Sequence, residues 1–178
     1  MRGPRRRVKA DDVVPSIAIL RNMAKRIHRP SVPKPSSPEA EARMRRTQRR
    51  DTKCEVEIRR RLHARGLRYR VDRRVLDGLR RRADIVFGPR RVAVFVDGCF
   101  WHGCPLHATW PKANATFWKE KINTNRTRDR DTDRRLVDAG WMVVRVWEHV
   151  DPDYAADRIV SILETCAETK QHRCVVVS

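Results

Sequence analysis

The run Val92 to His107, VAVFVDGCFWHGCPLH, constrains this chain more than any other stretch. Five consecutive apolar residues, Val92 to Val96, read as a buried strand, and the run stops abruptly at Asp97-Gly98. Everything after Asp97 therefore sits at a strand end, a usual place for chemistry. Cys99, Cys104 and His107 follow at C-x4-C-x2-H, a spacing that lets a short loop fold soft ligands around one zinc ion. A fourth ligand must come from afar, and His149, just past the apolar stretch Trp141 to Glu148, is the best candidate. His102 is left over and needs another job.

Charge narrows the partner. Lys and Arg number 41 against 22 Asp and Glu, a net charge of +19, which points to a polyanion. No apolar run approaches the ~20 residues that span a bilayer. The patch Val13 to Leu20 follows basic residues, but Asp11, Asp12 and Pro15 interrupt it, so it does not read as a signal peptide. Five cysteines, two of them in the metal-like cluster, suit a reduced cytoplasm better than a disulfide framework.

Residues 1–42 read as a basic, Pro-rich arm, because Pro30 to Pro38 is a solvated spacer that builds no core. The folded domain is expected over 43–170, with 171–178 an uninformative tail. Asp51 to Glu55 opens a helix whose stripe is Cys54, Ile58 and Leu62 and whose stop is Gly66. Leu67 to Val71 is a first strand. Ala83 to Phe87 and Arg91 to Val96 form a hairpin around Gly88-Pro89-Arg90. A long helix from Thr116 to Ala139, a strand from Trp141 to Glu148 and a helix from Asp153 to Lys170 complete an α/β pattern.

Both hairpin strands deliver a carboxylate. Antiparallel pairing sets Asp84, at the start of one, beside Asp97, at the end of the other, so the two can share a hard cation such as Mg2+ at one sheet edge. The competing reading has Asp84 cap a loop and Asp97 serve an Asp-Gly turn. Glu55 presents the same choice, since Thr52-Lys53-Cys54-Glu55 is also a capping box. On the long helix, Asn125 and Asp129 interrupt the stripe of Trp118, Ile122 and Leu136, and buried polar groups need partners. A histidine acting as a base needs an acceptor on its far nitrogen, and Asp129 can be that acceptor for His102. Phe100-Trp101 either places one ring in the core or projects both as a wedge into DNA.

Several motifs now resemble, in order from Met44 to Asp151, the very short patch repair (Vsr) endonucleases. They are Arg50-Asp51-Thr52-Lys53 with Glu55, Ala83 to Phe87, Asp97 to Pro105, the helix from Phe117-Trp118 to Arg128-Asp129-Arg130, and Gly140-Trp141 leading to Val146-Trp147-Glu148-His149. The resemblance implies a restriction-endonuclease-like mixed central sheet flanked by helices, with a structural zinc site. It implies a Mg2+-dependent nick on the 5′ side of the thymine in T:G mispairs left by deaminated 5-methylcytosine. By position, Asp84 matches the Mg2+-binding aspartate, completed by the Val96 carbonyl and Asp97; His102 matches the general base, Asp129 its acidic partner and Glu55 a supporting acid. Phe100 and Trp101 match the major-groove wedge and Met44 a smaller wedge from the other groove, while Arg45, Arg46, Arg49 and Arg50 hold phosphates. Cys99, Cys104, His107 and His149 match the zinc ligands. Asp97 stands where some members carry a histidine, and Ala83 where a proline is familiar. A monomer on the bacterial nucleoid is implied, working in association with a DNA cytosine-5 methyltransferase.

Two other functions fit parts of the pattern. A restriction-type or structure-directed nuclease would use the same metal site on another target. A noncatalytic zinc-stabilised DNA-binding module would leave Asp84, His102 and Asp129 without a role.

Overall fold

Thr52 caps the first long helix as the capping box requires, its hydroxyl accepting from the Glu55 N–H at 3.4 Å. In a computed structural model that describes residues 32–46, 50–169 and 173–178, this helix is α2, Lys53–Ala64, and Gly66 follows its end at φ 77°. It is preceded by α1, Pro38–Arg46. The boundary expected at residue 42 therefore falls inside a helix, and the described unit begins at Pro33. Residues 1–31 of the expected arm lie outside the described residues.

Five strands form one sheet in the order β1 Arg70–Arg74, β2 Arg82–Phe87, β3 Val92–Asp97, β4 Met142–Trp147 and β5 Cys174–Val177. The expected β2–β3 hairpin is present, with Phe87 opposite Val92 across a turn that ends at Arg91, φ 53°. β1 is antiparallel to β2, and β4 and β5 run parallel to β3, so the sheet is mixed. The first strand starts three residues later than its apolar pattern suggests, because Leu67 and Tyr69 fill the core from the preceding loop. The tail holds a real strand: β5 pairs with β4 and buries Val177.

The helices that matter for position are α3, Cys99–His102, α4, Ala115–Asp138, and α5, Pro152–Thr169. α2 and α5 bring Ile58, Leu62, Ile159 and Leu163 against Ile85, Val94, Val144 and Val146 on one face of the sheet. α4 crosses the other face, placing Leu136 against Ala93 and Val143. This β3–α4–β4 crossover aligns Asp97 with Trp147 and thereby gathers two strand ends at one edge. Among the described residues, no helix is long and apolar enough to cross a membrane.

Candidate active site and metal centre

The hairpin sets Asp84 beside the end of β3, where its Oδ2 accepts the Val96 N–H at 2.7 Å. Burial pushes the Asp84 carboxyl up to about 7, against the pull of that N–H, and the neighbouring Glu55, Asp97 and Asp72 charges push the same way. An acid in such surroundings ionises readily only with a cation beside it. A carboxylate at a strand end is the hard-oxygen donor that Mg2+ prefers.

His102 ends α3, and its Nδ1 lies 2.7 Å from Asp129 Oδ2 on α4 and 3.5 Å from Asp97 Oδ1. With Nδ1 donating to Asp129, Nε2 keeps its lone pair. Burial disfavours the imidazolium, but the Asp129 hydrogen bond and the charges of Asp97 and Asp129 outweigh it and raise the pKa. Asn125, 5% exposed, donates from Nδ2 to the Trp101 carbonyl at 2.8 Å, fastening α3 to the crossover helix.

The sharing of a cation between Asp84 and Asp97 meets a competitor. Both Asp97 oxygens accept from Arg145 Nη1 at 2.8 Å. Glu55 serves the helix start much as the capping reading expects, its carboxylate accepting the Asp51 N–H, one residue before the cap, at 2.9 Å and the Thr52 hydroxyl at 3.0 Å. It is nonetheless close enough to raise Asp84, so capping and proximity to the acid site coexist.

Past α3 the chain turns at Gly103 and delivers Cys104 and His107 toward Cys99, while His149 arrives from the end of β4. The four ligand atoms lie within 4.8 Å of one another, with Cys99 Sγ to His149 Nδ1 at 3.1 Å and Cys104 Sγ to the same nitrogen at 3.7 Å. Tetrahedral zinc with bonds of ~2.0–2.3 Å sets ligand edges of about 3.3–3.8 Å, so a zinc ion fits this cluster. Burial and the adjacent Cys104 push the Cys99 thiol up to about 12, a cost that a bound cation reverses by deprotonating it.

Phe100 and Trp101 share one environment without DNA, neither of them sunk into the main core. Both are half-buried, and both pack edge-on against Trp118 of α4, with ring centroids 5.2 and 5.9 Å away. They form a satellite aromatic cluster at the site's rim, apart from the two main cores. Met44 is exposed on α1. Arg46 is exposed as well, whereas Arg45 pairs with Glu41 and Arg50 with Asp51 and Asp72. Arg49 lies outside the described residues.

The family model for DNA mismatch endonuclease Vsr matches residues 36–107. The type II nicking enzyme V.NaeI of Lentzea aerocolonigenes is 44% identical over 122 residues, 67% of this chain and 74% of that protein. The type II nicking enzyme V.XorIIP of Xanthomonas oryzae is 39% identical over 59% of this chain and 76% of its own length. The chain belongs to the Vsr family. DNA mismatch endonuclease Vsr of Escherichia coli is 40% identical over 107 residues, 59% of this chain and 66% of that protein.

Within this Vsr-family fold, the sequence brings Asp84, His102, Asp129 and Glu55 to one edge, and gathers Cys99, Cys104 and His107 of one loop with His149 from the end of β4. It leaves three participants unmarked. Glu148 Oε1 accepts the Cys99 N–H at 2.6 Å, tying the start of α3 to the end of β4. Arg145 and Asp133 extend the polar network beneath His102. The available signal was an arginine inside the apolar strand 142–147, since a buried charge demands partners.

Proposed function

We propose that this chain is a DNA mismatch nicking endonuclease that hydrolyses the phosphodiester 5′ to the thymine of T:G mispairs arising from deaminated 5-methylcytosine. The lesion implies functional association with a DNA cytosine-5 methyltransferase. The observation that carries the reading is the His102–Asp129 contact at 2.7 Å beside Asp84 at adjoining strand ends. Family membership and a net charge of +19 support it.

In this reading Asp129 fixes the His102 tautomer, and Nε2 accepts a proton from the attacking water. Asp84 and the Val96 carbonyl would hold Mg2+, which supplies stabilisation of charge developing on the nonbridging and leaving oxygens. Asp97 then serves mainly as an anchor for Arg145 and a second neighbour of His102. Glu55 rigidifies the start of α2 and adds negative charge toward the Asp84 site. Cys99, Cys104, His107 and His149 would hold zinc, bracing α3 so that His102 keeps its place. Phe100 and Trp101 enter the stack from one groove and Met44 from the other, opening a wobble pair more easily than a matched one. Arg46, Arg49 and neighbouring arginines hold phosphates.

The relatives named type II nicking enzymes favour a second reading, in which a defined sequence rather than the mispair selects the site. One assay separates the two. End-labelled duplexes carrying T:G or T:A at the same position are incubated with the protein and Mg2+. A single nick in the thymine strand of T:G alone is expected, and Asp84→Ala should abolish it while duplex affinity stays near wild type. Equal cleavage of the T:A duplex would refute mismatch selection, and a fully active Asp84 variant would remove Asp84 from the site.

A further inference from the structure

We infer that Arg145 is a positioning residue that holds the proton-accepting pair His102–Asp129 in register, by clamping the three carboxylates Asp97, Asp129 and Asp133 with one buried guanidinium. The inference rests on the proposed role of His102.

Arg145 stands in the middle of β4, among Val143, Val144 and Val146, which are fully buried, and is itself 8% exposed. Strand alternation points it with Val143 toward α4. Its register partner on β3 is Phe95, and the guanidinium lies over that ring, 4.9 Å from the centroid. The donors go in different directions. Nη1 donates to both Asp97 oxygens at 2.8 Å. Nε donates to both oxygens of Asp133 at 3.0 Å, and Nη2 reaches Asp133 Oδ1 at 2.9 Å. Nη2 also faces Asp129, its carbonyl at 3.5 Å and Oδ1 at 3.7 Å.

Asp129 and Asp133 are four residues apart on α4 and so share the helix face that covers β4. Two of the three clamped acids are the two that His102 Nδ1 faces, Asp129 Oδ2 at 2.7 Å and Asp97 Oδ1 at 3.5 Å. The imidazole therefore has two competing acceptors about an ångström apart in distance. Arg145 decides between them: it engages both Asp97 oxygens and leaves Asp129 Oδ2 free for the ring. Only a planar fork serves acids on opposite sides at once, and a lysine ammonium cannot.

A purely structural role predicts that altering Arg145 lowers the melting temperature and leaves the folded fraction fully active. A positioning role predicts a change in His102 itself. The test uses Arg145→Lys, which keeps the charge and removes the fork, in the full chain. Three readouts are taken: single-turnover nicking of the T:G duplex with Mg2+, affinity for that duplex, and the imidazole 15N spectrum without DNA. The expected result is a loss of cleavage rate of ~100-fold, the scale set by an ångström of misplacement. Duplex affinity should change little. In the spectrum, the single Nδ1–H tautomer of His102 should give way to a mixture.

Should Arg145→Lys fail to fold, Asp133→Asn loosens the same clamp from its outer side and is read by the same three measurements. Wild-type cleavage with an unchanged His102 spectrum in a folded variant would overturn the inference. A rate loss that only mirrors lost affinity would overturn it too. His102→Ala serves as the separate control: retained nicking there would remove His102 as the base, while the spectrum of the Arg145 variant still decides what the clamp does.

Discussion

Asp84 and Asp97 stand on neighbouring strand ends and meet opposite electrostatic surroundings. Asp97 has a guanidinium across both oxygens, whereas Asp84 has one backbone N–H and a ring of other acids. The same side chain thus has a guanidinium partner at one position and is left in need of a cation at the other. His102 sits between these regimes. Burial opposes its positive charge, but Asp129 and Asp97 prevail and raise its pKa above the ordinary histidine value of ~6.5. A base must be neutral to accept a proton, so at saturating Mg2+ the nicking rate should rise with pH through an acid limb centred above ~6.5. Asp129→Asn removes the contact that raises the imidazole, moving the limb to lower pH and lowering the plateau. A pH–rate profile checks both effects, and an unmoved limb in the variant would separate Asp129 from the base.

The short helix α3 and its glycine exit determine whether His102, the proposed base, and the Cys/His cluster share one frame. Gly103 ends α3 at φ 65°, and a Cβ there would stand 2.9 Å from Ile122 Cγ2 of α4. Ile122 is fully buried and cannot retreat. Gly103→Ala should therefore cost about 1–3 kcal/mol and displace Cys104 from Cys99. The check is metal analysis with thermal melting: wild type is expected to hold about one zinc per chain, and the variant less at a lower melting temperature. Equal zinc and equal melting would show that the turn absorbs the methyl group. Much of this frame is legible in the sequence. The abrupt stop after Val96 locates the strand end, and the cysteine and histidine spacing locates the loop. The polar pair Asn125 and Asp129 on an apolar helix stripe announces buried partners. Elements held by distant pairing were hidden. β5 is four residues of edge strand in a tail without periodicity, and its existence depends on β4 offering an open side. The Arg145 clamp joins β4 to α4 and β3, a relation that no local window contains.

For the molecule as a whole, a charge of +19 means that attraction to DNA does not depend on the aromatic cluster. Phe100→Ala with Trp101→Ala should remove stacking worth about 1–3 kcal/mol per base and erase most of the preference for T:G over T:A. The salt dependence of matched-duplex binding should keep its slope, since phosphate contacts are untouched. Affinity titrations at several salt concentrations test this. A preserved mismatch preference in a variant that melts early would make the rings packing elements, in keeping with their contacts to Trp118.

Asp84, His102, Asp129 and Arg145 come from four separate elements along the chain: β2, α3, α4 and β4. The hairpin can form early, being local, but β4 reaches β3 only after the intervening crossover has closed, the slower kind of event in folding. Until then a growing or heat-loosened chain already carries its arginines, so it can cling to DNA while lacking a seated base. Attachment precedes the ability to cut.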